Sequence, residues 1–377
     1  GYQSLNPTLY MYEDKWGVNN TGTAFGPHTN NQWFGSNTDN NIYRSTYNKL
    51  GNPDLNWETR KEFSVGLDAL MLDRKLSVSV SYYNTLRSNE WVKPTNRYPL
   101  AIGLLATPYV NFNKTRYYGA ELSAKYTDKI GDFRYSIGAM ATLPRTERIQ
   151  FDQPDYRNEY QSRIGKPTDA YFGLVHQGRF SSDEEANKIP QLFDEKLKAG
   201  DFKYADLNND GVVDGNDMKQ IGNTSPRLFY ALNINLAYKN IELTIIGDGR
   251  SGFDIPLTSK YFHNGWGDNN YSKYLVENVG TDKLPRQTYY KVENNYQAST
   301  FWLKKGDYFK IQNIEIAYNL PLAASAFMGI RKARFFVRGA NLATISGIKD
   351  IDPESATSGI DRYPLNRTFT GGVKLTF

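Results

Sequence analysis

The chain has 377 residues, with 45 Lys and Arg against 40 Asp and Glu for a formal charge of +5, and it carries 28 Tyr, 20 Phe, 6 Trp, 31 Gly and no Cys. The charges are spread along the chain and form no basic block, which argues against nucleic acid as a partner. No apolar run reaches the roughly 18 residues a transmembrane helix needs, yet a membrane β-barrel stays allowed, because only alternate residues of its strands meet lipid.

The aromatic share of 14% favours β structure with aromatic girdles. Lack of Cys fits periplasmic or surface exposure, although many cytosolic proteins share it. The first residue is Gly1, with no start Met, signal peptide or lipidation Cys, so the chain reads as mature or as a fragment of something longer.

Residues 1–57 are rich in Asn, Gly, Thr, Tyr and Trp without sustained periodicity, which predicts a long exposed loop. Alternation begins at Glu58, with Phe63, Val65, Leu67 and Ala69 opposite Ser64, Gly66 and Asp68. After a tight Leu72-Asp73-Arg74 connection, Leu76, Val78, Val80 and Tyr82 alternate with Ser77, Ser79 and Ser81, so a hairpin with one apolar and one polar face is expected. A loop over 88–112 leads to a strand through Ala120, Leu122, Ala124 and Tyr126 opposite Glu121, Ser123 and Lys125. A short turn at 128–132 and a strand through Tyr135, Ile137, Ala139 and Ala141 follow.

A very long excursion, 144–225, comes next, and within it Asp183, Glu184 and Glu185 read as the solvated start of a short helix reaching Leu197. Two more strands, through Tyr230, Leu232, Ile234 and Leu236 and through Ile241, Leu243 and Ile245, flank a turn at Lys239-Asn240. A loop over 248–300 precedes a strand from Phe301 to Leu320, in which Ile314, Ile316 and Tyr318 alternate with Asn313, Glu315 and Ala317. Residues 321–331 connect it to a strand where Phe335 and Val337 alternate with Arg334, Phe336 and Arg338. After a loop at 343–366 the terminal strand places Phe369, Gly371, Val373, Leu375 and Phe377 on one face and Thr370, Lys374 and Thr376 on the other.

Short and long connections thus alternate, as the periplasmic turns and extracellular loops of outer-membrane barrels do. The reading is all-β, a segment of about nine antiparallel strands from a large transmembrane barrel with long extracellular loops. Bacterial single-chain barrels close with an even strand number, so nine strands predict further barrel strands N-terminal to Gly1, in another chain or outside this numbering.

One loop carries a site that spacing alone suggests. Asp206, Asn208, Asp210, Asp214 and Asp217 stand at loop positions where oxygen ligands wrap a hard cation, Val212 offers its carbonyl and Gly211 permits the bend. Calcium is expected, with magnesium as a competitor because Asp217 replaces the longer Glu; an Asx-rich turn holding no ion is the alternative. Glu121, Glu315, Arg334 and Arg338 on the polar faces read as a charge network filling the interior, or else as the lining of a transport path. Loop aromatics Trp16, Trp33, Trp91, Trp266 and Trp302 either pack loops or stack on sugar rings. His28, His176 and His263 lie far apart and show no metal or nucleophile spacing, so no catalytic apparatus is visible.

Several motifs in chain order resemble the SusC-like branch of the TonB-dependent outer-membrane transporters. They are Asn52-Pro-Asp-Leu-Asn-Trp-Glu-Thr59 with Gly66-Leu-Asp68, Arg163-Ile-Gly-Lys-Pro167 with Tyr171-Phe-Gly173, and Gly200-Asp-Phe-Lys-Tyr-Ala-Asp-Leu-Asn-Asn-Asp-Gly211. Ile221-Gly-Asn-Thr-Ser-Pro226, Gly306-Asp-Tyr-Phe-Lys-Ile-Gln-Asn313 with Tyr318-Asn-Leu-Pro321, Arg338-Gly-Ala-Asn-Leu342 and the terminal Phe complete the set. The resemblance covers nearly the whole chain but only the C-terminal part of that family, whose barrels have about 22 strands and a plugged lumen.

It implies TonB-driven uptake of an oligosaccharide or peptide, a plug domain, a SusD-like surface lipoprotein and outer-membrane lipid around the barrel. Two other readings stay open: a non-transporting barrel scaffold within a larger outer-membrane complex, and a secreted carbohydrate-binding β-sandwich or enzyme domain in which the apolar faces form a soluble core.

Overall fold

A computed structural model describes residues 51–94, 107–188, 190–191, 193, 196–263, 271–289, 291–321, 330–349, 351–356, 363 and 365–377, together with the backbone of 15–20, 32–34 and 43–49. Within 1–57, three short strands, β1 (Lys15–Asn20), β2 (Gln32–Phe34) and β3 (Tyr43–Lys49), pair in the order β1-β3-β2. This corrects the expectation of a structureless loop.

The wall strands of the first half are β4 (Thr59–Met71), β5 (Leu76–Val92), β6 (Val110–Ile130) and β7 (Phe133–Gln150). Four short strands follow: β8 (Ala170–Gly173), β9 (His176–Arg179), β10 (Phe202–Tyr204) and β11 (Lys219–Asn223). Then come β12 (Leu228–Tyr238), β13 (Ile241–Ser251), the short β14 (Asp254–Pro256) and β15 (Leu303–Lys305), and finally β16 (Tyr308–Asn319), β17 (Lys332–Ser346) and β18 (Thr368–Thr376).

Nine of these make one antiparallel sheet in the order β18-β17-β16-β13-β12-β7-β6-β5-β4, a meander in which each strand pairs with its neighbour along the chain. Several strands run further than alternation suggested: β7 continues through Pro144 to Gln150, and β17 reaches Ser346. The expected helix from Asp183 to Leu197 shrinks to α1 (Asp183–Ala186), capped by the Ser182 side chain, which accepts from the Glu185 N–H. A second helix, α2 (Lys273–Asn278), lies in the connection between β14 and β15.

The chain divides into two compact units. One is drawn from Gly1–Phe63, Asn84–Tyr117 and Thr146–Thr168, the other from Ser64–Tyr83, Tyr118–Arg145 and Asp169–Phe377.

In the second unit the tight ends are locally determined. Leu72, Asp73 and Arg74 all adopt positive φ (54°, 54° and 67°), turning β4 into β5 within one left-handed bend, and Gly131 (φ 59°) does the same between β6 and β7. At the opposite ends the connections are long and hold small sheets of their own, β10-β9, β11-β8 and β14-β15.

Pairing without shifts through β7, β12 and β13 puts Ala139, Leu232 and Gly247 in one row and Ile137, Ile234 and Ile245 in the next, on one face. Across β16, β17 and β18 that face continues as Ile316, Val337 and Gly371, and as Tyr318, Phe335 and Val373. Nothing among the described residues covers it: Leu67 is 67% exposed, Val337 62% and Phe369 74%. The compact core instead belongs to the long connections, where Leu174, Phe202, Tyr204, Val213, Leu284 and Trp302 are buried together. A soluble sandwich would bury Val78, Leu232, Ile234 and Leu375, and none of them is buried here. No described helix is long and apolar enough to cross a membrane.

Candidate functional site

The opposite face of the same strands is polar, and β16 sets its charge pattern. Glu315 pairs across with Arg338 and with Thr244. It is 7% exposed and accepts 2.6 Å from Arg334 Nη2 and 2.7 Å from Arg338 Nε. Arg334 also donates to Glu242 Oε2 at 3.2 Å, and the other Glu242 oxygen takes the Asn319 amide at 2.9 Å. Phe336 lies between the two arginines on this face, its ring 5.9 and 5.6 Å from their guanidinium carbons. Two carboxylates thus answer two guanidinium groups, which joins Glu315, Arg334 and Arg338 of the expected charge network, while Lys374 stands opposite Arg334 on the neighbouring strand. Glu121 is separate from it and faces the Ser81 hydroxyl at 3.4 Å.

Further along β16 the same face holds a cluster that alternation does not reveal. Lys310 is 4% exposed, and its ammonium donates to both oxygens of Asp352 at 2.9 Å and to Glu354 Oε2 at 2.5 Å. Glu354 Oε1 accepts from the Tyr308 hydroxyl at 2.6 Å and pairs with Arg250 at 3.2 Å. Tyr308 and Arg250 tend to raise the charged population of Glu354, and with Lys310 they hold its carboxyl below the usual range against the upward push of burial, which is the largest single influence. The cluster fastens residues 351–356 to the sheet; Ala356 belongs to the main core, and Ile348 and Ile351 pack against it. The sequence signal was Asp352-Pro-Glu354, an acidic pair in a loop opposite an odd Lys inside a strand.

The loop 206–217 is formed as an Asx-rich turn. Asp206 Oδ2 accepts the Gly211 N–H (2.9 Å), Asn208 Oδ1 accepts from Asp210 N (3.0 Å), and Asp210 Oδ1 accepts from Val212 N (3.0 Å). Gly211 has φ 87°, which a Cβ would strain. Asp214 caps the single 3₁₀ turn Gly215–Asp217. Asp217 is fully buried and spends both oxygens on backbone N–H groups, Leu207 and Asn208 at one and Asp214 at the other, so its carboxylate serves the loop. Asp206 Oδ1, by contrast, is buried with no partner. An oxygen left in that condition suits a cation, and Asn208, Asp210 and the Val212 carbonyl stand beside it in sequence. Among the described residues no group of three or more Asp, Glu or His is placed to share an ion, so any ion here would depend on amide, carbonyl and water oxygens as well.

The remaining candidates among the described residues resolve into packing. Trp302 is 3% exposed and stacks on Tyr296 at 5.7 Å, inside the core and away from any sugar. Trp91 lies 6.2 Å from Trp57 and donates to the Asn56 carbonyl at 2.7 Å. Trp16 and Trp33 fall in β1 and β2, whose side chains lie outside the described residues, as do Trp266 and His28. His176 sits 4.6 Å from the Phe202 ring and His263 4.3 Å from Trp302. Burial lowers both imidazoles, His263 to about 4, with the positive charges of Arg179 and Lys291 adding to the effect at the respective rings. In the same core Asp201 is fully buried and takes a two-pronged hydrogen bond from Arg286 (3.0 and 2.8 Å) plus one from Asn295 (2.8 Å), a pairing the sequence does not signal.

No family model matches the chain. It is 25% identical over 359 residues to TonB-dependent receptor P3 of Formosa agariphila and 23% identical over 374 residues to TonB-dependent receptor P26 of the same organism. These matches cover 87% and 88% of the chain but only 35% and 36% of the relatives, so the chain spans about a third of their length. In fold it matches the RagAB peptide importer in its closed-closed state, with a TM-score of 0.66 at 19% identity over 98% of this chain and 39% of that one. The open-open state gives the same score over 96% and 39%. By sequence and by fold the chain is similar to the TonB-dependent receptors, and its nine-stranded sheet matches a segment of their β-barrel.

Proposed function

We propose that this chain forms the C-terminal stretch of barrel wall in a TonB-dependent outer-membrane importer of a large nutrient, an oligosaccharide or a peptide. The observation that carries the reading is the uncovered apolar face of the nine-stranded sheet. Exposed to water, so wide a surface is an aggregation liability; exposed to hydrocarbon, it is the expected exterior of a barrel. In this reading the long connections lie at the cell surface beneath a SusD-like lipoprotein, and the tight turns face the periplasm. Further barrel strands and a plug complete the lumen, and the TonB complex supplies the drive. Loop 206–217 is a calcium site that stiffens one of the surface connections, supported by the orphaned Asp206 oxygen.

Intact cells carrying the gene should accumulate labelled oligosaccharide or peptide, and both gene deletion and a protonophore should abolish this. Accumulation unchanged by deletion overturns import and favours a scaffold role. Recovery of the protein from membranes without detergent overturns the barrel itself.

A further inference from the structure

The apolar face of the sheet is not uniformly ridged. Between β5 and β12 it dips into an open furrow of about 570 Å³, with Val80 and Leu122 on one side, Tyr230 and Phe309 on the other, and Ala139 and Ala141 between them. Its far wall depends on two glycines of β13. A Cβ on Gly247 would come within 2.5 Å of the Phe309 ring, and one on Gly249 within 2.5 Å of the Tyr230 ring. The two rings therefore lie flat over β13, parallel within 4° at 5.9 Å, and the Tyr230 hydroxyl reaches across to the Tyr308 carbonyl at 3.1 Å.

Ala139, Ala141 and Arg145 follow the same alternation along β7, which places Arg145 roughly 13 Å beyond the furrow toward the long connections. The Arg145 Nη1 group donates to the carbonyls of Pro144 (2.8 Å) and Arg227 (2.6 Å), which anchors the guanidinium beside the start of β12. Among the described residues the guanidinium makes no other hydrogen bond, which leaves its Nε and Nη2 protons for an anion.

We propose that this furrow holds one acyl chain of a phosphate-bearing lipid whose phosphate sits against Arg145. The proposal rests on the membrane reading above and adds to it a preferred lipid and a place. Two observations select the occupant. The exposed walls are almost wholly apolar, with the Tyr230 hydroxyl already bonded to the Tyr308 carbonyl, so they offer little to a peptide or sugar, and a cation stands beyond one end at headgroup distance, where the charge complementary to it is a phosphate.

The test uses the full-length protein in detergent with phosphatidic acid carrying a diazirine in its acyl chain, photolysed and mapped by peptide mass spectrometry. Phosphatidylcholine with the same chain is the comparison. Phosphatidic acid should label the peptides of 78–80, 122 and 139–141 well above those of Val337 and Phe369 on the same face. Arg145→Gln, which leaves the furrow intact, should lower that labelling about fivefold and erase the preference over phosphatidylcholine. Ala141→Phe should remove the focus while labelling elsewhere persists. Even labelling over the whole apolar face, in wild type or indifferent to Arg145→Gln, overturns the lipid site and leaves the barrel reading standing. Absence of label from that face overturns the barrel reading itself.

Discussion

Replacing Lys310 by Met tests the structure where it joins a connection to the sheet. The side chain is 5% exposed and its ammonium makes three hydrogen bonds, two to Asp352 and one to Glu354. Met fills the space but leaves two carboxylates side by side, with Glu354 still held by Tyr308 and Arg250. Removing one partner of a fully buried pair costs about 3–5 kcal/mol. The carboxylate side chains here are 23% and 27% exposed, so water recovers part of the loss and the net penalty falls to about 2–3 kcal/mol. That penalty acts first on residues 351–356, because β16 and β17 keep their own ladder. The Glu354 and Ser355 amides, bonded to Asp352 Oδ1 and to the Asp352 carbonyl, report its opening. Their hydrogen exchange should speed up roughly 30- to 150-fold while amides of β12 and β13 stay unchanged. An acceleration below about threefold, under about 0.7 kcal/mol, would refute the argument that Lys310 holds the segment.

Four further outcomes follow from the same reasoning. His263 folds with a pKa of about 4 against about 6.5 unfolded, so the stability its neutral ring contributes is whole above pH 6.5 and declines as pH falls toward 4, by up to about 3 kcal/mol; in His263→Phe the melting temperature should lose that part of its dependence between pH 7.5 and 5. Arg286→Met strands the buried Asp201 and should cost about 3 kcal/mol in the thermal stability of the connection core, less if Asn295 alone can satisfy the carboxylate. Glu315→Gln leaves Arg334 and Arg338 without their shared anion; destabilisation of about 2–3 kcal/mol by denaturant titration is expected, and Arg338→Gln should cost less because its side chain is 47% exposed. Calcium should raise the melting temperature and EDTA lower it, with Asp206→Asn abolishing the difference, whereas Asp217→Asn should destabilise the loop in EDTA too, since that carboxylate caps three backbone amides.

The long strands of the nine-stranded sheet were legible because one apolar and one polar face impose a period of two. Leu232 and Ile234 against Asn233 and Asn235, or Phe335 and Val337 against Arg334 and Arg338, state the face of each residue with no knowledge of its partner strand. Strand ends were less legible. In β7 the residues beyond Ala141 include Pro144 and a run of charges, yet the strand continues to Gln150, because ladder bonds outlast the alternation that reveals them. The helix expected through Leu197 ends at Ala186, where Asn187 closes it with its N–H and its side-chain amide on the Asp183 carbonyl. In loop 206–217 the spacing of oxygens was visible, but whether a carboxylate turns to an ion or to the backbone was not. Asp217 chose the backbone, where three N–H groups needed an acceptor.

Why the core lies where it does follows from the same two-sided wall. A sheet whose apolar face is left uncovered and whose other face is polar buries few side chains of its own, so it gains its stability from ladder bonds and from pairs such as Arg334 with Glu315. The long connections have no ladder of comparable length and must assemble a core of their own. Residues far apart in sequence do so: Leu174 beside Ser299 in a parallel bridge, Phe202 4.3 Å from Phe301, and Tyr204 bonded to the Asn294 carbonyl at 2.7 Å. None of these contacts repeats with any period, so no single-sequence pattern could have announced them. The fully buried Asn294, Asn295 and Asp201 show the consequence, because each buried polar group fixes its neighbours to one arrangement and the connections can hold a defined shape above a wall that offers them little support.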